Sequence, residues 1–547
     1  MEPVDSFRRR ALEWAGASFG KRDEAIRAEA DRSFDPFPEV GEAMTKNALY
    51  AVGIDSGTQG TKALVVEIDR GRVAGRGRAP HAMVPGLAAG ASEQDPATWV
   101  RAMDTALAEA LKEARIDPGK VVSLGVSGQQ HGFVALDAKG RPLRPAKLWN
   151  DTSTVAEAEA IASALGGKKA FIERLGIALA VGFTASKILW LKRHEPERFE
   201  KLATVLLPHN YLNFLLTGRA HMDYGDASGT GLMDVRRRRW DEAAVAAVDE
   251  GLRTKLPPLN HPREPVGQAK KAWAARFGLK TVLVASGGGD NMMGAIGSGN
   301  VRPGVCTLSL GTSGTVYAHF ARPFVDPEGE IAAFCDSTGG WLPLLCTMNV
   351  TNTTEIVKSL FGLDNARLER LAGRAGAGAG GLLFLPFVDG ERVPVLPSAR
   401  AVFFGLDRRT FDAAHIVRAV MEGTVLNLGY GFARMKTLGL EPSGIRATGG
   451  GARSRLWLRI VADVFGTPVV TLGEVEAAAY GAALQSVWNW RLAQGEKAAV
   501  ADIADAWVAK GRLAAEPDPR NAALYADLQG RFNALWRRLA PEFGERS

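Results

Sequence analysis

Apolar positions recur along the chain with two different periods. Ala48–Asp55, ALYAVGID, is a short apolar run that ends on an acid before a glycine turn, and TKALVVEID follows at Thr61–Asp69. Such runs, rich in β-branched residues and parted by glycine, predict a β-hairpin over 48–69 with SGTQG, Ser56–Gly60, as its turn. Trp99–Ala114, WVRAMDTALAEALKEA, shifts to helical spacing and predicts an amphipathic helix. VVSLGVSG, Val121–Gly128, predicts a buried strand that ends in glycine. Strands alternating with longer helices define an α/β protein.

At 547 residues the chain exceeds one hydrophobic core, so two domains are expected. A repeat supports this. Gly57-Thr58-Gln59-Gly60-Thr61 reappears as Gly311-Thr312-Ser313-Gly314-Thr315, 254 positions later. The flanks match in character: YAVGID and KALVVEI in the first copy, VCTLSL and TVYAHF in the second. Each half then starts with the same hairpin. The glycines and proline of GSGNVRPG set the boundary near 298–304. The expected parts are an extension over 1–47, domains over 48–300 and 301–535, and a tail over 536–547. Met44 just before the first strand allows residues 1–43 to be a misassigned start, and they lack the apolar core of a secretory signal.

Composition narrows the classes. Hydrophobic residues make up 46% and charged residues 23%, the profile of a soluble globular protein. No run of 18 apolar residues suggests a membrane span. Cys306, Cys335 and Cys346 lack metal-ligand spacing, and an odd, sparse set fits three small buried side chains in a reducing compartment, the cytoplasm. The net charge of +7 is spread widely, and its one dense run, Arg236–Arg239, lies between acids. A solvated loop or helix start accounts for it better than a nucleic-acid patch.

The candidate chemistry lies in glycine clusters at strand ends. Glycine lets successive N–H groups approach one anion, so the turns at Gly57–Thr61, beside Lys62, and at Gly311–Thr315 suit a polyphosphate if they face each other across a cleft. Each alone is also an ordinary hairpin turn. The pattern G-x-x-x-x-G-K-[ST] is absent. Asp55 ends the first strand where a carboxylate could hold Mg²⁺ directly or through water, or simply form an Asx turn. RATGGGARS, Arg446–Ser454, reads as strand, glycine turn, helix, where a base or ribose can lie against backbone. GAGAGG at 376–381 fits a dinucleotide pattern by letters, but it precedes the strand LLFLPF and reads as a linker. SGQQHG presents Gln129, Gln130 and His131 at a strand end, and LWNDTST adds Trp149, Asn150 and Asp151, a mixture suited to a polyhydroxylated ligand. VASGGGDNMMGAIGSG, Val284–Gly299, delivers Asp290 and Asn291 after three glycines, with the look of a strand-to-helix turn.

These residues resemble the FGGY carbohydrate kinases, and within them the xylulokinase group, over about residues 48–535. GFTASKILWLKRH at 182–194 and AVFFGLDRRTFDAAHIVRAVME at 401–422 fit the family's two long signatures. SEQDP at 92–96, GQQHG at 128–132, LWND at 148–151, LLPHNYL at 206–212, GGGDN at 287–291, LSLGTSG at 308–314 and GGGARS at 449–454 point to the narrower group. The resemblance implies two actin-like, ribonuclease-H-like domains with a nucleotide cleft between them. It implies Asp290 as catalytic base, with the three glycines before it leaving room for sugar and phosphate, Asp55 near Mg²⁺ and phosphates, and Gln130, His131 and Asn291 at the sugar. It implies Gly450, Gly451 and Ser454 on the adenosine side, and the turns Gly57, Thr58, Gln59, Gly60, Thr61 and Gly311, Thr312, Ser313 at the phosphates. Two departures bear on the sugar. Some members carry methionine at the Gln130 position, and GERVPV at 390–395 stands where the family often reads G-E-R-T-P-H.

The implied reaction moves the γ-phosphoryl group of ATP to a primary hydroxyl of a ketopentose, D-xylulose at O5. A kinase of the same fold for ribulose, a sugar alcohol or glycerol stays open, and an actin-like nucleotide switch is the alternative of another class. The expected partners are the sugar and ATP, with no nucleic acid or membrane, and a homodimer is left open.

Overall fold

The computed structural model describes residues 48–473, 476–509 and 511–544. The extension expected over 1–47 lies outside them. The hairpin at the start of the described chain pairs β1 (Tyr50–Ser56) with β2 (Gly60–Glu67) antiparallel, in register Ser56 to Thr61 and Tyr50 to Glu67. β3 (Val73–Pro80) extends it antiparallel. Helix α1 (Pro96–Ala114) follows, capped by the Asp95 carboxylate on the N–H of Ala97, with Pro96 opening its first turn. It buries Trp99, Met103, Ala106, Leu107 and Ala110, the apolar stripe seen in the sequence, against the sheet.

β4 (Val121–Gly128) then pairs parallel with β1. Two helices, α2 (Thr184–His194) and α3 (Pro208–Thr217), belong to the long segment before the sheet resumes. β5 (Gly267–Gln268) and β6 (Leu283–Val284) complete its far edge, β6 parallel to β4, and β7 (Gly288–Gly289) joins the end of β4. Helix α4 (Asp290–Gly297) starts directly after β7.

The second half repeats this order. β8 (Val305–Leu310) and β9 (Gly314–Ala318) form the hairpin, and β10 (Ala332–Cys335) and β11 (Trp341–Thr347) extend it antiparallel. After α5 (Thr351–Phe361), α6 (Asn365–Arg374) and the long α7 (Ala413–Thr437), β12 (Gly444–Thr448) pairs parallel with β8. α8 (Arg455–Phe465) leads to β13 (Val469–Thr471), parallel to β12. Each sheet has seven strands, and their shared paths are β3-β2-β1-β4-β6 and β11-β9-β8-β12-β13. The Gly-Thr repeat thus marks two copies of one α/β topology, as expected of an actin-like pair. The copies differ by one residue at the turn: pairing closes at Ser56–Thr61 in the first and at Leu310–Gly314 in the second.

The last helices are α9 (Ala477–Ala493) and, after β14 (Arg512–Ala515), α10 (Pro519–Leu539). α9 crosses to the first sheet. Ala51, Leu64 and Val66 of the sheet, Met293 and Ile296 of α4, and Ala479, Ala483, Val487 and Trp488 of α9 form one buried cluster. The approach is close because glycines meet alanines. A Cβ on Gly53 would lie 1.9 Å from the Ala479 carbonyl oxygen, and one on Gly297 would lie 1.9 Å from that of Ala477. A Cβ on Gly481 would lie 1.8 Å from the Met293 carbonyl oxygen.

Two sequence expectations change here. In the run Arg236–Arg239, Arg237 and Arg239 are exposed, whereas Arg236 and Arg238 are half-buried clamps. Arg236 reaches Asp234 and the carbonyls of Glu173 and Arg174, and Arg238 lies 4.0 Å from the Trp341 ring centre and donates to Gly339 and Gly340. Cys306 and Cys335 are buried as expected, but Cys346 is only partly so. Among the described residues no helix is long and apolar enough to cross a membrane.

Gly481→Ala drives its methyl into helix backbone and is expected to lower unfolding stability by about 1–3 kcal/mol or more. Gly530 of α10 has open space around it, so Gly530→Ala is expected to leave stability unchanged or raise it by about 0.5–1 kcal/mol. Thermal midpoints of the two variants beside the wild type check the opposite signs.

Candidate active site

The carboxyl ends of β1, β4 and β7 converge, the place where parallel strands leave room for ligands. Asp55 lies in the last pair of β1 residues and accepts the hydroxyl of Ser127, at the end of β4, at 2.8 Å. Asp290 opens α4, with the N–H of Asn291 at 2.8 Å and its side-chain amide at 3.0 Å from one carboxylate oxygen. That amide also donates to Oε1 of Gln130 at 2.8 Å. Asp290, Asn291 and Gln130 therefore form one group. The buried Nε2 of Gln130 has no protein partner, a donor left for a ligand oxygen.

Burial pushes the Asp290 carboxyl up to about 7, and the charge of Asp55 adds to the shift. Asp55 is itself raised by burial, against the pull of Ser127 and Lys62. Two acids that each resist ionisation make a site able to accept a proton near neutral pH, and one that a cation would relieve. Among the described residues no group of three or more His, Cys, Asp or Glu is placed to hold a metal. A cation here would lean on ligand oxygens and water, which is the habit of Mg²⁺.

The three glycines before Asp290 make room for protein, a correction to the expectation that they make room for sugar and phosphate. Gly287 is left-handed at φ +74, and a Cβ there would meet the Val126 carbonyl at 2.5 Å. One on Gly288 would meet the Ser337 hydroxyl at 2.3 Å, and one on Gly289 the Gln130 side chain at 2.5 Å. The backbone of this buried loop is satisfied by side chains the sequence did not single out. Asn489 of α9 accepts from the N–H of Ser286, and Gln485 of α9 accepts from the N–H of Gly287 at 2.9 Å. Asn213 of α3 donates to the Ser286 carbonyl at 2.9 Å. The available signal was two amides at i and i+4 in an otherwise apolar helix.

His131 sits at left-handed φ +61, a conformation non-glycine residues adopt rarely. Its N–H bonds to Asp226, and its carbonyl accepts from Lys187 of α2 at 2.8 Å. Its ring lies 4.7 Å from that of Phe183 and 5.4 Å from that of Phe334. Burial, then the charges of Lys187 and Arg392, keep the imidazole neutral. Below it, His209 is buried between Asp223 and Asp226, each 3.0 Å away. Burial works against its charge, but the two carboxylates win and push it up to about 9.

Trp149 donates to the Thr58 hydroxyl at 3.0 Å, which joins the aromatic to the first glycine turn. Thr58 in turn donates to Gln129, and Gln94 holds the Thr58 carbonyl at 2.7 Å. Asn150 is exposed and bound through Oδ1 to Ser92, and Asp151 is buried against Lys147. The Thr61 hydroxyl is committed to His81 at 2.8 Å, so the turn offers Gln59 and backbone instead. Lys62 leans to Glu476 at the start of α9, 2.5 Å away. In the second turn the side chains of Thr312 and Ser313 reach the surface, while the carbonyls of Gly311 and Thr312 accept from Thr351 and Val350. Gly449 is left-handed at φ +83, Gly451 packs on Leu310, and the Ser454 hydroxyl caps α8 through the N–H of Trp457. In GERVPV, Val393 is buried in the second core and Val395 is 55% exposed.

Known proteins resemble this chain over most of its length. The model of the FGGY family of carbohydrate kinases, N-terminal domain, matches residues 50–297, and that of the C-terminal domain matches 307–490. A xylulose kinase of Haemophilus influenzae is 44% identical over 444 residues, 80% of this chain and 90% of that protein. One from Streptomyces coelicolor is 40% identical over 459 residues, 83% of this chain and 90% of that protein. The crystal structure of a xylulose kinase from Bifidobacterium adolescentis aligns with a TM-score of 0.76 at 30% identity, covering 88% of this chain and all of that one. With both halves matched in order, over residues 50–297 and 307–490, the chain belongs to the FGGY family of carbohydrate kinases.

Proposed function

We propose that this chain transfers the γ-phosphoryl group of ATP to O5 of D-xylulose. The observation that carries the reading is the Asp290 carboxylate, raised toward neutral pH beside Asp55 and tied through Asn291 to Gln130. The 40–44% identity to proteins described as xylulose kinases supports the choice of sugar. Gln130, His131, Asn291 and Trp149 hold the ketose, with the free Nε2 of Gln130 as one donor. Gly57–Gly60 and Gly311–Ser313 take the phosphates, and Gly450, Gly451 and Ser454 line the adenosine side. Mg²⁺ fits beside Asp55 and Asp290, where it supplies positive charge that offsets the phosphates.

Asp290 accepts the proton of the O5 hydroxyl as that oxygen bonds to the γ-phosphorus and the bond to the β-bridging oxygen breaks, releasing ADP. General-base help is worth about 10²–10⁴-fold, and the remainder comes from positioning and charge stabilisation. Closure around the sugar excludes water, the competing acceptor.

Coupled ADP release over D-xylulose, D-ribulose, gluconate, xylitol and glycerol tests the substrate. Xylulose is expected to give the highest kcat/KM, and a better turnover of any other member overturns the assignment. Asp290→Ala is expected to lose at least 10²-fold in kcat while retaining ATP binding.

The acid pKa fixes two pH dependences. Asp290 must be ionised to act, so kcat/KM is expected to fall about tenfold per pH unit below about 7 and to level off above it. For stability the sign is opposite. Between the ordinary carboxyl value of 3.8 and about 7 the fold holds a proton that the unfolded chain has released. Stability from this group therefore declines as pH rises through that window, and the penalty is complete above it. Asp290→Asn should melt above the wild type at pH 8, with the difference shrinking toward pH 4; an equal or lower midpoint at pH 8 counts against it.

A further inference from the structure

The loop that follows Gly390 is built with unusual care for a surface segment. Glu391 is buried at 3% exposure, and its carboxylate accepts from the N–H groups of Met348 and Arg392 at 2.7 Å and from the Asn427 amide at 2.8 Å. Its backbone pairs both ways with Leu396, and Asn349 holds the Gly390 carbonyl at 2.6 Å. A buried acid fully occupied by amide donors anchors the chain on either side of residue 392.

The Arg392 side chain gains nothing from that anchor. It is exposed, and among the described residues no carboxylate lies within ion-pair distance of it. Its guanidinium carbon lies 5.9 Å from the Trp149 ring centre, and one nitrogen lies 3.9 Å from the Cys346 sulfur. Its charge reaches the buried imidazole of His131, and the Cys346 thiol feels Asp290 as well. The second half of the molecule thus holds an unpaired planar cation against the aromatic and imidazole walls of the cluster on the first half. A fork of five N–H donors whose one protein acceptor is the weakly accepting Cys346 sulfur suits a pair of hydroxyl oxygens.

We propose that Arg392 is a sugar-binding residue, contacting the hydroxyls of the bound ketose from the second half opposite Trp149 and His131. This rests on the ketopentose kinase reading. It makes sugar affinity depend on both halves of the cleft.

Steady-state kinetics of Arg392→Ala and Arg392→Lys beside the wild type test it, with D-xylulose and ATP varied separately. The sugar KM is expected to rise about 10–100-fold in Arg392→Ala, the loss of charge-assisted hydrogen bonds, and less in Arg392→Lys. The ATP KM and the thermal midpoint should stay at wild-type values. Calorimetric titration of D-xylulose into the nucleotide-free protein should show a matching rise in Kd. A sugar KM within twofold of wild type overturns the proposal, as does a loss confined to kcat, which would place Arg392 at the phosphoryl group instead. Wild-type turnover in the same assay separates the two readings: if the wild type ignores xylulose, the substrate assignment fails, whereas normal wild-type turnover with an unchanged variant fails Arg392 alone.

Discussion

Where α9 lies on the first sheet, backbone meets backbone with almost no side chain between, and the rest of the site is referenced to that contact. Gly53 of β1 takes the Ala479 carbonyl, while Gly297 and Gly481 let α4 and α9 touch. Asp55 lies in the last turn-facing pair of β1 residues and α4 begins at Asp290, so one helix sets the spacing of both acids. The same helix sends Gln485 and Asn489 into the loop before Asp290. Close packing of this kind does not deform gradually. It lets the two halves share a rigid element while the glycine turns proposed to meet phosphate keep Gln59 and Thr312 at the surface.

The cleft is an electrostatic compromise. Asp55 and Asp290 are placed where neither ionises easily, which costs the fold stability and gives the site a usable base. Around His131 the balance runs the other way. His209 stays charged because Asp223 and Asp226 flank it, and Asp226 then holds the N–H of His131 in its strained turn. Lys187 secures the carbonyl side. His131 is thus held on both sides of its backbone by buried charged groups.

The fold was legible because hydrophobic period and glycine placement are local. The hairpin at 48–69, the helix beginning near Trp99, the strand at 121–128 and the Gly-Thr repeat all rest on neighbours in sequence. The linked group of Asp290, Asn291 and Gln130 came from residues whose types announce chemistry. What sequence could not show was which polar atoms the fold would consume. Thr61 gives its hydroxyl to His81, Asn150 binds Ser92, and Ser454 caps a helix. Gln485, Asn489 and Glu391 were invisible because their partners are far away in the chain. The three glycines before Asp290 looked like space for a ligand, and only the positions of Val126, Ser337 and Gln130 revealed what fills it.

The placement of α9 also has a consequence in time. Strands β1 to β4 of the first sheet are synthesised by about residue 128, but the helix that covers one of their faces begins at Ala477. At roughly 10 residues per second the ribosome needs about half a minute to make the stretch between them. Throughout that interval Ala51, Leu64 and Val66 lack the α9 side of their cluster, with Met293 and Ile296 of α4 joining only partway through. The first half of this enzyme therefore matures last, although it is made first. An N-terminal fragment ending before α9 carries both acids of the site and lacks the surface that would let it fold around them. An apolar sheet face left uncovered in this way is aggregation-prone, so a chain broken off early leaves a sticky sheet instead of a working half-enzyme.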